Sequence, residues 1–347
     1  MLFLFDFFQS KKKSFDVFAK LILVFLLVRI TTSFLSENPS ESYSALIREI
    51  YFYLSFFSFS LFLKTLSEDS LKKIITWFYN VGVIVAVIGI VKFISGVPRA
   101  ESITSGPATF ATYLTIVLAV LLFKSLEEGE ENKTWIKQAF VFSGIFLVLA
   151  RTHIAIALLL FLGGIVFKKI KFSGLIKTLL LTAVISSLAI ISNSYYFNVR
   201  KDDPMSYSNR DVIWGGALNL NGEHPLLGFG PGSFKGVFPD WNRLMDKGVS
   251  NWHSEWIQMY IESGVLGLSI SLIIAGFVFY MYARRRNGLR SSKLLTPIFA
   301  ALVALYLSSV TNCILYSIIP SILFGFLLAF YSRLIVVEDR ITVEEKR

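Results

Sequence analysis

The chemistry this sequence can offer begins with one imidazole and two guanidiniums. His253 stands in Trp252-His253-Ser254-Glu255-Trp256, Arg210 in Arg210-Asp211-Val212-Ile213-Trp214, and Arg151 in Arg151-Thr152-His153. An imidazole can remove a proton near neutral pH. An arginine holds a phosphate or pyrophosphate bidentately. Trp252 and Trp256, with Glu255 between them, are candidate acceptor or sugar contacts, because indoles make good platforms for sugar faces. Each residue also has a plainer reading. A lone loop histidine serves as a surface or hydrogen-bonding group, indoles anchor at membrane interfaces, and Arg210 pairs with Asp211 or a lipid phosphate.

These residues concentrate in one polar interval, 208–267, which holds four of the six tryptophans and two of the three histidines. Within it, His224-Pro225-Leu226-Leu227-Gly228-Phe229-Gly230-Pro231-Gly232 forces a tight, non-helical path. Gly-rich backbone can present N–H groups to an anion, yet no strand precedes this run, so it is neither a P-loop nor a dinucleotide fingerprint. An architectural role suits it better. Trp214, Ala217 and Leu218 fall at helical spacing, as in an amphipathic stretch lying on a membrane surface. No metal site is expected: no HExxH occurs, the histidines are far apart, and Asp202-Asp203 before Pro204 reads as a solvated turn. A GxSxG nucleophile elbow is also missing.

The elements that must position these groups are apolar. The chain of 347 residues is 54% hydrophobic and 17% charged, against roughly 25% charged in soluble proteins. Its apolar runs predict an all-α polytopic membrane protein, one transmembrane domain over 1–347 with about ten spans. The spans are expected near 15–34, 43–63, 74–94, 108–123, two within 135–167, then 175–193, 264–282, 294–309 and 317–334. The run 135–167 is too long for one span, so a tight turn is expected at Arg151-Thr152-His153. The segment 194–263, with short helices, forms a loop between the seventh and eighth spans.

With the amino terminus in the cytoplasm, Lys11–Lys13, Lys64 with Lys72 and Lys73, Lys124 with Lys133, Lys168, Lys169 and Lys171, and Arg284–Arg286 with Arg290 and Lys293 all face inward. That obeys the positive-inside rule. Both termini are then cytoplasmic and the 194–263 loop extracytoplasmic. The net charge of +10 reflects these loops rather than a nucleic-acid partner. The single cysteine, Cys313, excludes an internal disulfide framework. Arg29, Arg48, Glu49, Lys92, Arg99, Glu101, Arg151 and His153 gather toward the outer ends of the spans. Ionisable groups so placed face a wet cavity or each other, or snorkel to the interface. A basic outer cavity would suit an anionic lipid head group, and Arg48 joins Arg151 and Arg210 as a candidate phosphate ligand. Arg48-Glu49 also reads as an ordinary local pair.

The order Arg210, Trp214, His224-Pro225-Leu226-Leu227-Gly228-x-Gly230-Pro231-Gly232, His253 and Gly264-Val265-Leu266-Gly267 resembles the O-antigen ligase/polymerase superfamily of bacterial membranes. His253-Ser254, nine residues, Gly264, two residues and Gly267 is similar to the ligase motif. Leu149-Ala150-Arg151 looks like the family's Ser-Arg position, with Ala150 in place of serine, and 99–114 is weakly similar to an earlier Arg/Gly/Ala segment.

This resemblance implies a GT-C-like glycosyltransferase architecture in the bacterial inner membrane, with the active site facing the periplasm. It implies an O-antigen ligase of lipopolysaccharide biosynthesis, carrying polysaccharide from undecaprenyl pyrophosphate to a sugar hydroxyl of lipid A–core by metal-independent, inverting transfer, with no cofactor. His253 would activate or orient the acceptor hydroxyl, and Arg210 and Arg151 would hold the pyrophosphate. An O-antigen polymerase or a protein O-oligosaccharyltransferase would use the same donor. A transporter or flippase is the alternative of another class, but transporters place ionisable groups near the midplane and often repeat their halves, and neither pattern is evident here.

Overall fold

Helix starts follow residues that satisfy or dispense with the first free N–H groups. In the computed structural model, which describes residues 17–104, 106–128, 131–166, 172–193, 209–220, 222–239, 241, 249–286 and 293–344, Pro39 and Pro107 are the first residues of their helices. Ser67 and Ser254 cap two others by accepting from Ser70 N and Ile257 N. Lys11–Lys13, Lys168, Lys169, Lys171, Asp202-Asp203 and Arg290 lie outside the described residues.

The described helices are α1 Val17–Phe34, α2 Pro39–Lys64, α3 Glu68–Ile94, α4 Pro107–Glu128, α5 Glu131–Leu147, α6 Arg151–Val166, α7 Phe172–Ser192, α8 Arg210–Asn219, α9 Phe234–Val237, α10 Glu255–Arg285, α11 Leu295–Ser309 and α12 Ile318–Glu344. Seven of them, α1, α2, α3, α4, α7, α10 and α12, contain stretches long and apolar enough to cross a membrane. Part of α5, and all of α6 and α11, form shorter apolar helices. The run 135–167 divides where a turn was expected, with α5 ending at Leu147 and α6 starting at Arg151. Several expected boundaries move. α3 starts at Glu68 rather than near 74, α4 continues past Phe123 to Glu128, α12 runs on to Glu344 rather than ending near 334, and α10 starts at Glu255, nine residues before Gly264. Glu255, Gln258 and Glu262 disguise that start as loop, although Ser254 is an ordinary N-cap.

α4 is the centre of the bundle. Every residue from Phe110 to Phe123 is buried, and α3, α5, α6 and α11 pack around it. Close approach is achieved at Gly89 of α3, where an added Cβ would lie 2.3 Å from the Phe110 ring. Small residues at such crossings are how apolar helices associate without a hydrophobic gradient between them.

One buried ionic network ties the bundle to the loop. Arg29 of α1 donates through Nε to both oxygens of Glu49 on α2, at 3.1 Å each, and Nη2 also bonds Glu49 Oε1. Nη2 further donates to Glu262 Oε2 at 2.8 Å, and Nη1 to Ser263 Oγ at 2.8 Å. Arg29, Glu49 and Glu262 are all 0% exposed. Arg29 therefore neither snorkels nor lines an open cavity, and Glu49 pairs with Arg29 rather than with its neighbour Arg48. At the same end of the bundle, Lys92 Nζ reaches Ser102 O at 3.1 Å, and Asn193 Nδ2 bonds the carbonyls of Phe93 and Val97.

Removing one partner of a buried ion pair strands the other charge. Arg29→Met should therefore lower the stability of the detergent-solubilised protein by about 3–5 kcal/mol. Lys92→Met removes a half-exposed partner of Glu101 and should cost no more than about 1 kcal/mol. Thermal unfolding of the two variants side by side checks this.

Candidate active site

The site is built where the backbone takes a conformation its residues dislike. Among the described residues, three non-glycine residues have positive φ: Leu149 at 61°, Asn209 at 56° and His253 at 51°. The left-handed region costs an L-residue roughly 1–2 kcal/mol, and such strain clusters at functional sites. Asn209 immediately precedes Arg210, the first residue of α8, and Leu149 lies two residues before Arg151, the first of α6. His253 directly precedes Ser254, the cap of α10. Each candidate side chain thus sits at or beside a helix N-terminus, where the peptide dipoles add positive potential.

Arg210 is the common neighbour. Its Nη2 donates to Thr311 O at 3.2 Å, and its Nε is buried without a hydrogen-bond partner. Burial lowers its pKa, and the charge of Arg151 lowers it further. The charge of Arg210 in turn acts on His253 and on His153. His253 is half-buried, and its pKa is depressed first by burial and then by Arg210. Its imidazole is therefore biased toward the neutral form, the form that can accept a proton. His153 is buried, its Nε2 lies 3.1 Å from Thr112 Oγ1, and its Nδ1 has no hydrogen-bond partner. Arg99 Nε is spent on Val148 O at 2.9 Å. Crowding guanidiniums against imidazoles in this way favours an anionic guest.

The Gly-Pro run has a backbone task. In an unbroken helix, Val265 N and Leu266 N would donate to Ile261 O and Glu262 O. At Gly264, with φ 61° and ψ −161°, α10 is kinked. Val265 N donates instead to Pro225 O at 2.8 Å and Leu266 N to Leu226 O at 3.4 Å, while Ile261 O and Glu262 O accept from Phe229 N and Gly230 N, both at 2.9 Å. The two strands of chain cross so tightly that a Cβ on Gly264 would lie 2.3 Å from Leu226 backbone, and one on Gly228 2.5 Å from Ile261 O. The spacing from His253 to Gly264 is thus the length of a short helix from its cap to its break.

Several expected contacts fall elsewhere. Trp252 is 0% exposed, packed edge-on against Phe234 at 4.8 Å and Phe238 at 6.0 Å, so it is loop core and not a sugar platform. Glu255 is buried, with Oε2 accepting from Ile314 N and Leu315 N at 2.5 and 3.1 Å, and with Trp256 it lines a largely apolar cavity inside the bundle. Trp256 stacks over Tyr306 with centroids 6.2 Å apart. Arg48 is exposed on α2, while its neighbour Glu49 faces inward. Arg210 bonds Thr311 rather than Asp211. His224 Nε2 is 3.4 Å from Glu37 and its ring meets Phe229 edge-on, a structural role. Sequence reasoning missed the turn 310–317, which carries Thr311, Cys313 and Tyr316. It reads only as a polar gap between apolar runs, and its partners lie far away in the chain.

Residues 138–272 match the family model described as O-antigen ligase. The chain resembles that family across the span that contains Arg151, Arg210, His253, Gly264 and Gly267. No curated protein matches it significantly.

The left-handed φ of His253 separates its chemistry from its stability. His253→Gly relaxes the backbone and His253→Ala does not, so the glycine variant should be the more stable by about 1 kcal/mol. Thermal midpoints of the two variants in one detergent check this.

Proposed function

We propose that this chain, similar to the O-antigen ligase family over residues 138–272, transfers O-antigen polysaccharide from undecaprenyl pyrophosphate to a sugar hydroxyl of lipid A–core, at the periplasmic face of the bacterial inner membrane. The observation that carries this reading is Arg210, held by Thr311, facing the charge of Arg151 and acting in turn on His253. The distribution of basic loops supports the orientation.

In this reaction Arg210 and Arg151 hold the donor pyrophosphate. The buried Nε–H of Arg210 is a donor awaiting an acceptor. As the bond between the anomeric carbon and the phosphate oxygen breaks, negative charge grows on the leaving pyrophosphate, and pre-placed guanidiniums stabilise it. His253, biased toward neutrality, takes the proton of the acceptor hydroxyl as its oxygen bonds the anomeric carbon from the back side. The linkage inverts, undecaprenyl pyrophosphate leaves, and the imidazolium returns its proton to solvent. The guanidiniums supply the charge neutralisation, so no metal or cofactor is assigned a step.

His253→Ala should lower transfer by about 10²–10⁴-fold, the range for losing a general base, in protein that remains folded and inserted. Unaltered capping of lipid A–core in that variant removes His253 from the mechanism. Arg210→Lys keeps the charge and loses the fork, and full activity there removes the clamp. A strain lacking the gene should show uncapped lipid A–core with full-length lipid-linked polymer. Single-repeat caps would instead mark a polymerase, and solute flux in proteoliposomes without glycan transfer a transporter. The acid limb of kcat/KM, which reports the free enzyme, should fall below about 6.5, the ordinary histidine value, because burial and Arg210 disfavour the imidazolium.

A further inference from the structure

Two buried carboxylates outside the anion-binding group share one structural partner. Glu255 and Glu262 are seven residues apart, two turns of α10, and so lie on one face of the short helix between Ser254 and the break at Gly264. Both grip the turn 310–317. Glu255 Oε2 accepts from Ile314 N and Leu315 N, and Glu255 N donates to Asn312 O at 3.2 Å. Glu262 Oε2 accepts from Tyr316 OH at 2.7 Å and Arg29 Nη2 at 2.8 Å, and its Oε1 from Gly232 N at 3.0 Å. The same turn touches both halves of the site. Thr311 O accepts from Arg210. Cys313 Sγ donates at 3.4 Å to Asn251 Oδ1, which also accepts from His253 N at 2.9 Å.

We propose that Glu255 and Glu262 are positioning residues, clamping the 310–317 turn so that it holds Arg210 and His253 at a fixed separation. A bundle-wide stabilising role would not require both carboxylates to meet the one turn that also meets Arg210 and the Asn251 support of His253. Displacing that turn moves the clamp and the base relative to each other, and misplacement on the order of 1 Å costs about 100-fold in rate. The inference rests on the reading of Arg210 and His253 as the reacting pair.

The test compares Glu255→Ala with Glu255→Gln in detergent-purified full-length protein, with folding checked by circular dichroism and gel filtration. Glu255→Ala should lower kcat about 100-fold with KM within about 3-fold, the pattern of a lost transition-state alignment. Glu255→Gln keeps a carbonyl oxygen for the two amides and should recover most of the rate. The chain has three histidines, so labelled imidazole resonances can be followed one by one. In Glu255→Ala the His253 resonance should shift while that of His224, paired with Glu37, stays. If Glu255→Ala fails to fold, Tyr316→Phe replaces it, removing the hydroxyl by which Glu262 Oε2 holds the turn while keeping the ring, and should also shift His253 selectively. A folded variant with wild-type kcat, or a rate loss with an unmoved His253 resonance, overturns the proposal. The resonance reports on the clamp whether or not glycan is transferred, so wild-type protein that transfers nothing while His253 still shifts overturns the reaction and leaves the clamp standing.

Discussion

The break in α10 at Gly264 is the constraint on which the rest of the site depends. A helix interrupted beside an apolar bundle leaves N–H and C=O groups that must find partners. The 225–230 segment supplies them, one carbonyl or amide for each group at the break. That docking fixes the path of the loop. It sets Gly232 against Glu262 and Tyr316, and through Glu262 it reaches Arg29 and Glu49 deep in the bundle. The helix ahead of the break is left as a separate nine-residue piece, capped by Ser254, with His253 at its mouth.

Two kinds of charge therefore meet at this end of the protein, and they do different work. In complete burial Arg29 bridges Glu49 and Glu262 and so holds elements together. Arg151, Arg210 and His253 sit at chain reversals beside helix N-termini, with a cationic neighbour as a principal electrostatic influence on Arg210 and His253. The first group is satisfied within the protein. The second leaves a buried guanidinium N–H unpartnered, and in the proposed reaction a pyrophosphate answers it.

Much of the helical plan was legible in the sequence because apolar length and Pro/Ser breaks are local signals. The division of 135–167 at Arg151 follows from its length and from the polar Arg151-Thr152-His153 at its middle. The proposal that Arg210, Arg151 and His253 act together comes from motif spacing, and residues 138–272 carry the family resemblance on which it rests. The rest was hidden for physical reasons. Whether Trp252 faces a sugar or a core depends on Phe234 and Phe238, which lie elsewhere in the loop. Glu49 looked paired with Arg48 because adjacency is visible and a partner 20 residues away is not. Glu262 meets Arg29 across 233 residues, and no pattern in one sequence announces such a contact. The start of α10 was missed because the carboxylates that anchor it resemble loop composition.

In the proposed reaction a guanidinium-held pyrophosphate leaves as an acceptor hydroxyl attacks from the opposite side, without a metal ion. The most direct measurement uses purified protein, lipid-linked glycan of known anomeric configuration, lipid A–core and a chelator, with the new linkage read by NMR. Transfer should proceed under chelation and give an anomeric configuration opposite to that of the donor. Retention of configuration, or transfer that stops when divalent ions are removed, would contradict that reaction.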